Sequence, residues 1–346
     1  MVIINFAELM SRPPNERECA TLERRIARLR AMEASVNSAL EALKRAQAEG
    51  RRRVGRVRIR SDFVYRASPA PGDASDRRLP PRADRPPATR IMSPRGTALR
   101  LYLTALFEAQ TRCSAGAHPT NDRPLLARGE AVGWVDLLAP RAPVVSPASR
   151  YAGVSGKKLR QLQDALARLG DPEVQLVSLP GRGSATGRYE GFQLLDEAGA
   201  REHGAPVPYV VPGHRDPDVF SLPTSLFTNG WVHVLEDTEL AFLLMLARCQ
   251  AAVGERQVAI PEAMRLLHFG LGRDAYAAYE LLERLNLIDV EVDEQRHLDG
   301  KVMDYGKGGE ARPHRFKLLD DGFEELAITT VLKVLGDRLA RGRSDR

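Results

Sequence analysis

Cysteine is scarce in this chain: three residues in 346, Cys19, Cys113 and Cys249, with no CxxC or paired spacing. Their scatter excludes a disulfide framework and a cysteine zinc site, and makes a reducing compartment the expected home. Long apolar runs are missing too. The densest, Leu240 to Ala247, is far too short to cross a bilayer, and Met1 to Met10 has neither the cationic start nor the apolar stretch of a secretory signal. The expectation is a cytoplasmic protein with no membrane contact. Lysine is also rare, seven against 44 arginines, which is the mark of a GC-rich genome as much as of a basic ligand.

Catalytic signatures are wanting as well. Gly156-Lys157-Lys158 has the outline of a phosphate loop, but Tyr151 stands where the upstream glycine belongs and Lys158 replaces the Ser or Thr. The seven histidines (His118, His203, His214, His233, His268, His297 and His314) include no HExxH. Pairs such as His297 with Asp299, or Cys113 with His118, have spacings that chance supplies. The chain is read as a non-enzyme: no catalytic residue, no metal site and no cofactor are expected.

What the chain does have is arginine, unevenly placed. The net charge is +6, yet Arg51 to Arg100 holds 14 arginines against four aspartates, a local surplus of ten that leaves the remainder acidic. A basic stripe attracts phosphate backbones and releases their counterions. The plainer reading is a solvated linker.

Five segments follow from the patterning. Residues 1–53 carry Cys19, Leu22, Ile26, Leu29, Val36, Leu40 and Leu43 on alternating steps of three and four, with Glu33 at the one polar seam position. That heptad predicts a coiled-coil helix, started by Pro13-Pro14-Asn15 and stopped at Gly50, that pairs two copies into a homodimer or docks on its own chain. Residues 54–95 read as a basic, Pro-rich tether, opening on an alternating Val57, Ile59 ribbon and holding seven prolines from Pro69 to Pro94. Residues 96–206 form a first unit, 207–226 a hinge, and 227–346 a second unit with a C-terminal helix.

The two units share an order of parts. In the first, a helix from Thr97 is followed by Trp134 to Leu138 as part of a second helix and by Lys157 to Leu169 as a third. Then come Val174 to Val177 as a strand, a Gly-rich loop and Phe192-Gln193-Leu194-Leu195-Asp196. In the second, Asp237 caps a helix to about Ala252, Pro261 opens another over Glu262 to His268, and Arg273 to Leu285 is the third. Strands at Leu287 to Val292 and Phe316 to Asp320 and a final helix close it. Tyr102-Leu103, Leu106 and Gln110 meet Phe242-Leu243, Leu246 and Gln250 at a constant offset of 140, while the strands at Phe192 and Phe316 lie 124 apart. Changing offsets with order kept are what two copies of one fold with unequal loops produce.

Arg315-Phe316-Lys317-Leu318 leading to Gly322 resembles the strand-turn-helix that closes many bacterial winged-helix regulators, with Leu319 at a position that is usually polar there. The tandem arrangement is similar to plasmid replication initiators built from two winged helices. The resemblance implies two winged helix-turn-helix domains, which with the N-terminal coiled-coil helix read from the heptad make a mainly α fold with small β-wings. It also implies sequence-directed binding of double-stranded DNA, as a transcription regulator or a plasmid or mobile-element replication initiator. In such a unit the third helix meets base edges while the turn and wing hold phosphates.

On that logic Lys157, Lys158, Arg160, Gln161 and Gln163 are the candidate base and phosphate contacts, with Arg182 and Arg188 on the first wing. Arg51, Arg52, Arg53, Arg56 and Arg58 are candidate backbone contacts on the arm. The second unit offers Arg273, Lys307, Arg312 and Arg315, but Glu280 and Glu283 face outward and its wing balances five acids with five bases, so it binds either phosphate or protein. The rival reading for the whole chain is a protein-interaction adaptor that uses the coil and both units without specific DNA binding.

Overall fold

A computed structural model describes residues 13–50, 52–72, 75–93, 96–127, 129–139, 154–180, 187–200, 205–254, 256–291 and 314–344. The described chain is mainly α with small antiparallel sheets.

Helix α1 (Glu16–Glu49) begins at a reciprocal cap. Asn15 Oδ1 accepts from the Glu18 amide at 3.0 Å while Glu18 Oε2 accepts from the Asn15 amide at 2.8 Å, which satisfies two backbone donors at once. Its apolar seam is buried inside the molecule, against α3 (Ala98–Arg112), α5 (Ser225–Thr228), α6 (Trp231–Val234) and α10 (Ala327–Ser344). Met32 rather than Glu33 fills the gap in the seam, and Glu33 is exposed. With Ala39, Ala42 and Ala46 also buried, the face is wider than a heptad seam, as docking on several neighbours requires. The surface read as a dimer interface is therefore taken up by the chain's own core. Two ion pairs pin α1 further: Arg25 holds Glu239 through both nitrogens at 2.5 and 2.8 Å, and Arg28 holds Glu236 at 2.5 Å. Arg343 reaches Glu23 at 2.7 Å, so the end of α10 lies against the start of α1.

The segments read as tether and hinge pair with each other. Strand β1 (Arg56–Arg60) runs antiparallel to β4 (Val219–Pro223), with Val57 opposite Leu222 and Ile59 opposite Phe220, all four buried. After β1, Phe63 and Val64 enter the core, and Pro86-Pro87 starts the short helix α2 (Pro87–Ile91), which buries Ala88 and Ile91. Pro at a first helical position lacks an amide that would be unpaired there anyway, so this Pro-rich stretch folds instead of trailing. One continuous core runs from Ile26 of α1 to Leu335 of α10.

The two stretches share part of the expected order of elements, and the registers of their paired strands agree. In the first, α3 packs on α4 (Val154–Leu169), followed by β2 (Val177–Ser178) and β3 (Gln193–Leu194). In the second, α7 (Asp237–Val253) precedes β5 (Val258–Ala259), a π turn at Met264–His268, α8 (Arg273–Tyr276) and α9 (Tyr279–Arg284). Strands β6 (Ile288–Glu291) and β7 (Arg315–Leu318) complete a three-stranded sheet ordered β5-β7-β6. Val177 pairs with Leu194 as Ile288 pairs with Leu318, and the Leu195 amide bonds Leu176 O as the Leu319 amide bonds Leu287 O, each at 2.9 Å. Each first strand is entered through a residue with positive φ, Gln175 at 49° and Asn286 at 56°. Each second strand is followed by a glycine pressed on that entry turn: a Cβ on Gly199 would stand 2.5 Å from Val174 O, and one on Gly322 would overlap Asn286 O. Gln110 and Gln250, matched by sequence, bond strands that are not counterparts, β1 of the arm and β7 of the second unit. Both are buried near the ends of their helices and bond strand backbone, Gln110 at both polar groups of Arg58 and Gln250 at the Leu318 amide at 2.7 Å.

Three helical expectations differ. Trp134 to Leu138 is a buried turn stitched to Pro124 and Leu125, not part of a helix. Glu262 to His268 is helical but widens into a π turn over Met264–His268, and the third helix of the second unit breaks at Ala277-Ala278 into α8 and α9.

Candidate nucleic-acid interface

Helix α4 is the element that could meet a ligand. Leu162, Ala165, Leu166 and Leu169 bury one stripe against α3, which the 3.6-residue period turns inward together. A neighbouring stripe runs through Lys157, Gln161, Asp164 and Arg168 at steps of four, three and four; Asp164 and, beside it, Arg160 are exposed, while Lys157, Gln161 and Arg168 are half-buried. Lys158 and Gln161 line a shallow hollow with Thr97, Val135, Leu138, Ala139 and Leu162. Burial lowers the pKa of Lys158 while Asp136 pulls it up, so this ammonium is partly desolvated and belongs to the flank of the helix rather than its crest. Gln163 is half-buried on the other flank. The structure thus sets Lys157 and Gln161 on one half-buried stripe with exposed Arg160 beside it, places Lys158 in the hollow that Gln161 shares, and puts Gln163 on the other flank.

The other expected contacts are dispersed. Arg188 is exposed, its guanidinium 5.6 Å from the centre of the Tyr189 ring. Arg52 and Arg53 are exposed, but Arg56 is fixed on the protein: Nε bonds Ser221 Oγ at 2.8 Å, Nη2 bonds Ser221 O at 3.0 Å, and Nη1 pairs with Asp320. Arg58 is half-buried with its backbone held by Gln110. This part of the arm is a paired strand, so its cations are not loose. Arg273 is exposed at the start of α8 next to exposed Asp274, and Arg315, on the central strand β7, lies opposite Glu291, so neighbouring acids offset both. Arg51, Arg182, Lys307 and Arg312 lie outside the described residues.

A second basic group was not expected as a site. Arg82, Arg85 and Arg90 come from the stretch read as tether, and they meet Arg168 at the end of α4. Their signal was present in Pro86-Pro87 followed by apolar Ala88 and Ile91, which marks a folded turn.

Among the described residues, no group of three His, Cys, Asp or Glu converges as metal ligands would, and no helix is long and apolar enough to cross a membrane. Comparison with protein-family models, with curated proteins and with solved structures found no match.

Proposed function

We propose that this protein binds double-stranded DNA in a sequence-directed way through the first of two winged-helix units, as a transcription regulator or a plasmid or mobile-element replication initiator. The observation that carries the reading is the repeated strand register, Val177 on Leu194 and Ile288 on Leu318, each entered through a left-handed residue. In the second unit the order α7, β5, turn, α8-α9, β6, β7 with sheet order β5-β7-β6 supports the winged-helix reading. In the first, the polar stripe of α4 with Arg160 beside it supplies the reading face: Lys157 and Arg160 for phosphate or guanine, Gln161 for an adenine edge.

The second unit is proposed as a support or protein-docking module. Residues 76 to 85 lie over the turn ahead of α8, with Asp76 on Arg265 at 2.8 Å and Leu79 over Gly272, so that turn is already covered. That observation is what favours the adaptor reading for this half of the chain.

Substitution in α4 tests the proposal. On a duplex that the wild type prefers, Arg160→Ala should weaken binding by about 1–3 kcal/mol, roughly 5- to 150-fold. Gln161→Ala should change the order of preference among duplexes. Unchanged binding in both variants would remove α4 as the reader.

A further inference from the structure

The stretch 75–93 crosses the junction between the two units. On one side it covers the turn ahead of α8, where Arg85 also packs on Gly270. On the other it meets α4. Arg168 donates Nη2 to Arg90 O at 2.7 Å, and Arg90 donates Nε to Arg85 O at 2.5 Å and Nη1 to Glu173 O at 2.8 Å. Arg82 closes the knot, with Nε on Arg90 O at 2.6 Å and Nη2 on Met92 O at 3.1 Å, while Arg85 Nε bonds Pro80 O at 2.8 Å.

Four guanidiniums are thus held in place by main-chain carbonyls, which fix position without supplying a countercharge. Among the described residues no carboxylate comes within 4.0 Å of any of the four. Asp84 is engaged with Arg66 at 3.7 Å, and Glu173 acts on Arg82 and Arg90 only through its longer-range charge and its carbonyl. Burial lowers the pKa of Arg82, Arg85 and Arg90, with repulsion from Arg168 and Arg85 added at Arg82 and from Arg66 at Arg90, outweighing the pull of Glu173 at Arg82 and of Asp84 and Glu173 at Arg90. Arg168 keeps a buried Nε without an acceptor. Each guanidinium has five N–H donors, and the carbonyls use one or two of them. What such a fork lacks is an anion with several oxygens, for which a phosphate is the matching shape.

We propose that Arg82, Arg85, Arg90 and Arg168 form a phosphate-binding site that grips the sugar-phosphate backbone of the DNA read by α4. The assignment rests on the DNA reading above. The site is well placed for this, because Arg168 ends the stripe that begins at Lys157, about 16 Å away along the axis at 1.5 Å per residue. The major groove is roughly 12 Å wide, so the far end of a helix reading it meets a flanking phosphate strand.

The test uses the full chain and a random-sequence duplex of about 25 base pairs, titrated across a salt series. Three proteins are compared: wild type, Arg82→Gln with Arg168→Gln, and Arg82→Lys with Arg168→Lys. Thermal melts check that each is folded, and should the glutamine pair fail to fold, the exposed single Arg82→Gln takes its place. The glutamine pair should bind about tenfold or more weakly near 0.1 M salt, and its plot of log affinity against log salt should flatten by about two, one for each lost phosphate contact. The lysine pair should keep most of the slope. Wild-type binding with an unchanged slope in the glutamine pair would overturn this site and leave the DNA reading intact. A wild type that binds no duplex would overturn the DNA reading, and this assignment with it.

Discussion

Replacing Leu43 by alanine separates a seam buried in the chain's own core from one that pairs two chains. Leu43 is fully buried on α1, in the same core as Val36, Ala39 and Leu40, and α1 packs on α3, α5, α6 and α10. The change removes three carbons of a buried side chain and leaves a cavity that elements tied by the Arg25–Glu239 and Arg28–Glu236 pairs cannot easily close. A Leu-to-Ala change in such a setting costs about 3–4 kcal/mol. With a urea slope of about 3 kcal/mol/M the midpoint should fall by about 1 M. The exposed Leu126 is the control, and Leu126→Ala should stay within about 0.5 kcal/mol. Urea unfolding followed at two protein concentrations, about fiftyfold apart, is the assay. An intramolecular seam predicts the same midpoint at both, since mass action does not enter. A cost under about 1 kcal/mol, or a midpoint that rises with concentration, would refute the packing argument and return the helix to a role between chains.

Two buried groups predict opposed pH dependences. Burial pushes the Glu197 carboxyl up to about 7 against the pull of Arg60, from 4.5 in the unfolded chain. The folded state therefore holds that proton more tightly, and stability falls as pH rises from about 4.5 through 7, by up to about 3 kcal/mol. Glu197→Gln should flatten that slope in urea unfolding at a series of pH values; an unaltered slope would mean the carboxyl is ionised throughout. His233 is buried with neither ring nitrogen paired, and burial, then the charges of Arg100 and Lys158, hold it down to about 3 against 6.5 unfolded. Its contribution is present above pH 6.5 and is lost on acidification toward 3, by up to about 5 kcal/mol, and His233→Leu should reduce that acid-side loss. Gly322→Ala should unfold the second unit, because its Cβ would overlap Asn286 O; a soluble variant with wild-type melting would contradict the close approach.

Periodicity made α1, α4 and α10 legible, because each buries one stripe and the apolar spacing records it, whereas α3 and α7 are buried nearly all round and were legible as apolar runs of helical length. The paired strands were legible too, as Leu176-Val177 with Leu194-Leu195 and Leu287-Ile288 with Leu318-Leu319, since each unit repeats one short local pattern. The β1–β4 pairing was not. Its partners are five residues each, more than 150 positions apart, and nothing local in Arg56–Arg60 names Val219–Pro223. Composition also misread 54–95: proline counts mark chains that cannot pack, but Pro86-Pro87 sits where a helix starts, and Phe63, Ala88 and Ile91 are enough to anchor the segment. For the candidate site, Lys157, Arg160 and Gln161 followed from the helix face. Arg82, Arg85 and Arg90 could not, because only the fold carries them to the end of α4.

Sequence-directed binding is put at risk most plainly by selecting a random duplex pool with the full chain and repeating the selection across a salt series. Reading by α4 predicts enrichment of one motif that persists as salt rises and is rearranged by Gln161→Ala. Enrichment of nothing, with retention that disappears as salt rises, would contradict it and reduce the arginine content to electrostatics without a reader.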